Sequence, residues 1–177
     1  IDGCAIAVRY VDGILVKAWT RKGVDKTYCM RMIEDLPNHI LARGTVEIRG
    51  ELYGRGLIPA RSQRLAAGHL RKKQPSGMGL SFCAFQIFDG KGTEISNLTQ
   101  LVKWGFNVCG HVKVTKDVVS KVKQLHNRWQ DSLIFSEYPT DGIVVKVIDK
   151  DLQEEIGRTS IAPSWATAIK DTWKKTW

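Results

Sequence analysis

No apolar run in the 177 residues approaches the length of a membrane-spanning helix. Ile1-Asp2-Gly3 is neither basic nor followed by a pure apolar stretch, which excludes a signal-peptide pattern at this end. The chain lacks an initiator Met, so its natural start is expected to lie elsewhere. The four cysteines, Cys4, Cys29, Cys83 and Cys109, form no C-x-x-C pair, which argues against a structural zinc site. There is no G-x-x-x-x-G-K-[ST] loop and no G-x-G-x-x-G fingerprint, so P-loop and Rossmann nucleotide sites are disfavoured. His39, His69, His111 and His126 are scattered, no Ser-His-Asp set stands out, and the histidines read as structural or surface residues. Neither internal repeats nor low-complexity tracts occur.

What remains is an ordinary globular composition, with a length that fits one domain or one domain plus a small appendage. The net charge is +9, which favours a polyanionic partner because bound phosphates release counterions, yet suits a generic basic protein equally well. Cys4, Cys83 and Cys109 lie in apolar stretches and read as buried thiols in a reducing compartment.

Residues 5–10 and 14–19 read as strands around the turn Asp12-Gly13. Residues 45–53 alternate Val46, Ile48 and Gly50 against Glu47, Arg49 and Glu51, as a strand with one buried face does. A helix is expected over 60–72, stopped by the Pro- and Gly-containing loop 74–79, then a strand over 80–88. Helices are expected over 97–104, 116–129 and 151–157, and strands over 142–148 and 166–169. In the second of these helices Val118, Val119, Val122, Leu125 and Trp129 recur at helical spacing. Strands outnumber helices and hairpins outnumber β-α-β units, which predicts an α+β fold with antiparallel sheets.

Taken singly, the charged candidates are weak. Asp2-Gly3 is by itself a turn. Arg21, at the end of the returning strand, can pair with phosphate bidentately or simply face solvent. Glu51 can accept from ribose hydroxyls or sit at a solvated edge. Lys146 lies in the apolar run Gly142-Ile143-Val144-Val145-Lys146-Val147 and needs a partner, since an unpaired buried ammonium is costly. Asp141 precedes it by five, so on a regular strand the two face opposite sides. Lys170 follows another largely apolar strand. Together they place cations and carboxylates on separate strands around one phosphate-bearing ligand, the arrangement phosphoryl and nucleotidyl transfer require.

Ile1-Asp2-Gly3 resembles the tail of the K-x-D-G nucleophile motif shared by DNA ligases, RNA ligases and capping enzymes. Thr20-Arg21, Glu47-Ile48-Arg49-Gly50-Glu51, Ala66-Ala67-Gly68-His69-Leu70-Arg71, Trp104-Gly105-Phe106-Asn107-Val108 and Asp141-Gly142-Ile143-Val144-Val145-Lys146 resemble, in order, segments of the NAD-dependent bacterial-type DNA ligases. The run 152–166, with Leu152-Gln153, Gly157, Thr159-Ser160, Ala162-Pro163 and Trp165-Ala166, is similar to a stretch that ATP-dependent ligases do not share. The resemblance implies an ATP-grasp-like ligase adenylation (nucleotidyltransferase) domain over residues 1–170, N-terminally truncated, with 171–177 as a tail expected to be disordered.

The same resemblance implies nick sealing in duplex DNA through enzyme-AMP and DNA-adenylate intermediates, with NAD as AMP donor and Mg²⁺ required. Asp2, Asp141, Lys146 and Lys170 would be catalytic. Gly3, Arg21, Glu51, Lys146 and Lys170 would bind the cofactor. Arg61, Arg64 and Arg71 would grip DNA phosphates, and Asp2 and Asp141 would place the metal. The nucleophilic lysine would immediately precede Ile1, so the chain as given is expected not to adenylate itself. A second polypeptide carrying that lysine and the nicotinamide-binding domain is one expected partner; a cytoplasmic location without membrane association is expected. A non-catalytic nick- or DNA-binding subunit is the alternative. Departures from the family are Lys22-Gly23-Val24-Asp25 after Thr20-Arg21, Gln63 where the helix motif has Arg, and Leu133 in place of an Arg, for which Arg128 would be the substitute across a short insertion.

Overall fold

Asp12 and Gly13 both take positive φ, 48° and 81°, the left-handed pair a two-residue hairpin loop needs to match strand twist. In the computed structural model, which describes residues 1–159 and 163–170, this turn joins β1 (Cys4–Val11) to β2 (Ile14–Thr20). Then follow α1 (Thr27–Arg31), β3 (Thr45–Gly54), α2 (Pro59–His69), β4 (Leu80–Ile87), α3 (Glu94–Lys103) and β5 (Asn107–Val108). The chain continues through α4 (Val118–Gln130), β6 (Gly142–Lys146), α5 (Lys150–Ile156) and β7 (Ala166–Lys170). The five-stranded sheet has the order β2-β1-β3-β4-β5, and β6 pairs with β7 in a second sheet. All pairings are antiparallel except that of β5 with β4. The α+β class with antiparallel-dominated sheets therefore holds.

The alternation read from residues 45–53 divides the large sheet into two faces. Ile6, Val8, Tyr10, Ile48, Leu52, Phe82 and Ala84 point to one side and form the core with Met30 of α1, Ala66 of α2 and Leu101 of α3. Gly50 lies on this side because a Cβ there would overlap the Phe82 ring. On the other face Ala5 stands opposite Glu51, Ala7 opposite Arg49 and Arg9 opposite Glu47. That face carries the charge.

Two elements leave no legible signal in the sequence: α1 is only five residues long and β5 two. Helix α3 begins at Glu94, three residues before the expected start, because Thr93 and Ser96 form a reciprocal capping box. Helix α4 is helical as expected, but none of its residues is buried. Among the thiols Cys83 is buried, whereas Cys4 and Cys109 are only half-buried. Cys29 is buried instead, because α1 turns it toward the Leu70 carbonyl at the end of α2. His69 is structural, its Nε2 at 2.9 Å from the Cys29 carbonyl. The expected tail 171–177 and residues 160–162 of the motif run lie outside the described residues.

Buried Ser62 of α2 fixes the start of the chain against β3. Its hydroxyl accepts from the Gly54 N–H at 2.9 Å and donates to the Asp2 carbonyl at 2.8 Å. Ser62→Ala leaves both groups without these partners, and the expected loss of stability is about 1–3 kcal/mol, read as a lower denaturant midpoint at unchanged m-value.

Candidate functional site

The charged face of the large sheet is partly covered. Residues of β6, α5 and the segment leading into β7 stand over it, enclosing a cleft of about 1120 Å³, the scale of a site for a sizeable small molecule. Ala5 and Ala7 form its floor, where short side chains leave room above the strands. Trp19, Phe85 and Phe88 supply flat apolar surface, and Arg21, Arg49 and Lys146 supply positive charge. Arg49 lies 4.4 Å over the Phe88 ring and 3.6 Å from Glu47, which also meets Arg9 at 3.3 Å.

Lys146 ends β6 and does have the partners its apolar strand demands. Its Nζ donates to the Phe85 carbonyl at 3.3 Å, lies 3.6 Å from Glu94 Oε2 and sits 5.4 Å from the Phe85 ring centre. Glu94 is buried at the start of α3 and is shared. Lys150 Nζ donates to its Oε1 at 2.8 Å, and Gln153 Nε2 donates to the same oxygen at 2.9 Å. Burial alone would raise the Glu94 pKa, but Lys146, Lys150 and Gln153 outweigh it and hold the carboxyl below its ordinary value. Lys150 also lies 5.6 Å from the Trp165 ring centre. This buried network joins α3 of the large unit to α5 and the small sheet.

A second cluster continues the cleft past Arg49 along β3. Glu51 is pushed up to about 7, first by burial and then by Asp2 and Asp141, against the Gly3 N–H that donates to it. A Cβ on Gly3 would overlap the Leu52 carbonyl, so glycine permits this close approach to β3. The Asp2 N–H donates to the Pro139 carbonyl at 2.7 Å. Lys170 Nζ meets Asp141 Oδ2 at 2.8 Å across the small sheet, an exposed pair that raises the lysine's pKa. Among the described residues no group of three or more His, Cys, Asp or Glu side chains is placed to hold a metal.

The structure thus places Arg21 and Lys146 in the cleft and gathers Asp2, Gly3, Glu51, Asp141 and Lys170 beside it. Lys146 and Asp141 diverge, as their odd spacing requires. Arg61 and Arg64 are exposed on α2 and Arg71 just beyond it, apart from the cleft. Sequence reasoning missed Glu94, Lys150 and the aromatic walls. Glu94 had one signal, an acid in the first position after a Thr that caps a helix.

Burial pushes the Glu51 carboxyl up to about 7, so any hydrogen bond that its carboxylate accepts from a ligand depends on pH. If its ionised form accepts from ligand hydroxyls, affinity for a hydroxyl-bearing ligand rises as pH increases from 6 to 8, on the order of tenfold. Glu51→Gln should give lower affinity and a flat profile; calorimetric titrations across that range check both.

Fold and site together define an α+β domain with a cation- and aromatic-lined cleft between an antiparallel-dominated sheet and a small second sheet. The model of the NAD-dependent DNA ligase adenylation domain matches residues 1–56 and 58–173. A DNA ligase of Cytophaga hutchinsonii is 32% identical over 197 residues, covering 96% of this chain and 29% of the relative. DNA ligases of Fervidobacterium nodosum (33% over 197 residues, 96% and 29%) and Thermobifida fusca (32% over 201 residues, 96% and 27%) are similar. The chain belongs to the NAD-dependent DNA ligase adenylation domain family. It spans under a third of the length of these curated relatives.

Proposed function

We propose that the cleft holds the adenylate half of NAD, and that the chain is the adenylating part of a ligase that seals 5′-phosphate/3′-hydroxyl nicks in duplex DNA. The observation that carries this reading is Lys146. It is the one charged residue of β6, and a buried carboxylate holds its ammonium at the cleft wall. In this reading the adenine lies over Ala5 and Ala7 against the Phe85 side of the cleft. Arg21 and Lys146 face the α-phosphate and neutralise charge that builds on its oxygens during transfer, where fixed cations act with little reorganisation. Glu51 accepts from the ribose hydroxyls.

The nucleophilic lysine would be the residue joined to Ile1. Asp2 is pinned through Pro139 and Ser62, and Gly3 lies against Glu51. That backbone would deliver the preceding residue to the end of the cleft where this reading puts the ribose. Asp141 and Lys170 neutralise each other there and would orient the reacting end of the nick. A magnesium ion fits this end only as a shared ion, because Mg²⁺ is commonly held by one or two carboxylates together with substrate phosphates. Asp2 and Asp141 would be those carboxylates, and the ion would supply neutralisation of phosphate charge. Arg61, Arg64 and Arg71 would grip DNA phosphates outside the cleft, so that binding weakens with salt.

Intact mass of the polypeptide as its native source makes it, before and after incubation with NAD and magnesium, tests the reading. A gain of one adenylyl group, mapped to the lysine joined to Ile1, is expected. A polypeptide that carries that lysine and never gains the group would refute it.

A further inference from the structure

The function proposed above leaves one pair of thiols unused. Cys83 of β4 and Cys109, just past β5, have their sulfurs 2.7 Å apart, and both are free thiols. A disulfide needs sulfurs about 2.05 Å apart, so joining them asks for a shift of well under an ångström. They meet because β5 runs parallel to β4, with Cys83 opposite Asn107 and Ala84 opposite Val108. Asp35 holds that register by accepting from the Phe82 N–H at 3.0 Å and from Asn107 Nδ2 at 2.8 Å. The 26-residue separation between the two cysteines encloses α3, and with it Glu94.

We propose that Cys83 and Cys109 are a peroxide-reactive pair that forms a reversible disulfide, stapling β5 to β4 and closing the loop that carries α3. Cys109 is the half-exposed member and Cys83 the buried one. The hydrogen bond between the two sulfurs, with nearby Lys146, outweighs burial and holds the Cys109 thiol below its ordinary value. Cys109 is therefore the sulfur that reacts first. Its thiolate attacks one oxygen of the peroxide; an S–O bond forms, the O–O bond breaks and hydroxide leaves. The Cys83 sulfur then attacks the resulting sulfenic acid; an S–S bond forms, the S–O bond breaks and water leaves with the Cys83 proton. Two thiols lose two electrons, and hydrogen peroxide is reduced to two waters. The remaining cysteines do not compete: Cys29 is buried, and the Cys4 thiol is pushed up by burial, Glu51 and Asp2. In a reducing compartment the bond would be transient, as a redox-sensing disulfide is.

The test is thiol counting on the folded full chain after brief exposure to hydrogen peroxide, followed by non-reducing peptide mapping, and it makes no use of the nucleotide reading. Two of the four thiols should be lost, a peptide pair joining Cys83 to Cys109 should appear, and dithiothreitol should restore both. The oxidised chain should unfold several degrees higher than the reduced one. Cys83→Ser should retain a sulfenic acid on Cys109 that dimedone traps. Cys109→Ser, altered at the more exposed position, should lose no thiol. Four thiols surviving, losses mapped to Cys4 or Cys29, or an unchanged unfolding midpoint with the bond formed would overturn the proposal.

Discussion

Lys146→Met is expected to weaken AMP binding by about 10- to 100-fold, the cost of one charge-assisted contact to a phosphate, while leaving the fold intact. The side chain reaches the cleft past Phe85 with about a quarter of its surface exposed. Methionine keeps its length and apolar stem but supplies no charge. The fold should survive because Glu94 keeps Lys150 and Gln153 when Lys146 is gone, so no buried carboxylate is stranded. Calorimetric titration with AMP, alongside circular dichroism and a melting curve, separates the two effects. Unchanged affinity in a folded variant would move the phosphate away from Lys146. Lys146→Arg should recover little, because a planar fork replaces a compact ammonium between Phe85 and Glu94.

Glu94→Ala should be the most damaging single change to stability. It leaves the buried Lys150 ammonium without its carboxylate, and breaking one side of a buried pair costs about 3–5 kcal/mol. In a domain of this size that corresponds to a fall in melting temperature of roughly 10 °C. Adding Lys150→Met should recover most of the loss, because an apolar side chain of similar volume removes the stranded charge. If Glu94→Ala melts like the parent, the network does not join the two units as described. The acid side of the stability profile gives an independent reading. Glu94 is held below its ordinary carboxyl value of 4.5, so its contribution is present above that pH and is lost as pH falls through the lower, folded value. Glu51 runs the other way. Its pKa is raised to about 7, so ionising it costs stability as pH climbs from the ordinary carboxyl range to neutrality. Glu94→Ala should flatten the acid limb, and Glu51→Gln the neutral one.

Local signals carry the large sheet. Asp12-Gly13 marks the first hairpin, and the alternation from Val46 to Glu51 separates the core face from the charged face by periodicity alone. The case for Lys146 also rests on local chemistry, a cation in a β-branched run, and its partners exist. The identity of those partners is not legible in the sequence. Glu94 lies 52 residues before Lys146 in the sequence, and only packing of α3 against the small sheet brings them together. The same holds for Cys83 and Cys109, two apolar thiols with no sequence link, which the parallel pairing of β5 with β4 places in contact. Helix α4 shows the opposite failure. Its apolar periodicity identifies the helix but not its burial, since Val118 and Val119 remain 48% and 71% exposed.

Binding of AMP to the isotope-labelled chain, followed residue by residue by NMR, tests the nucleotide cleft most directly. Saturable shifts should gather on Ala5, Ala7, Arg21, Glu51, Phe85 and Lys146, and Lys146→Met should move the saturation point to higher AMP. Shifts confined to α2 or α4, or no saturable shift at all, would contradict the assignment of the cleft to adenylate.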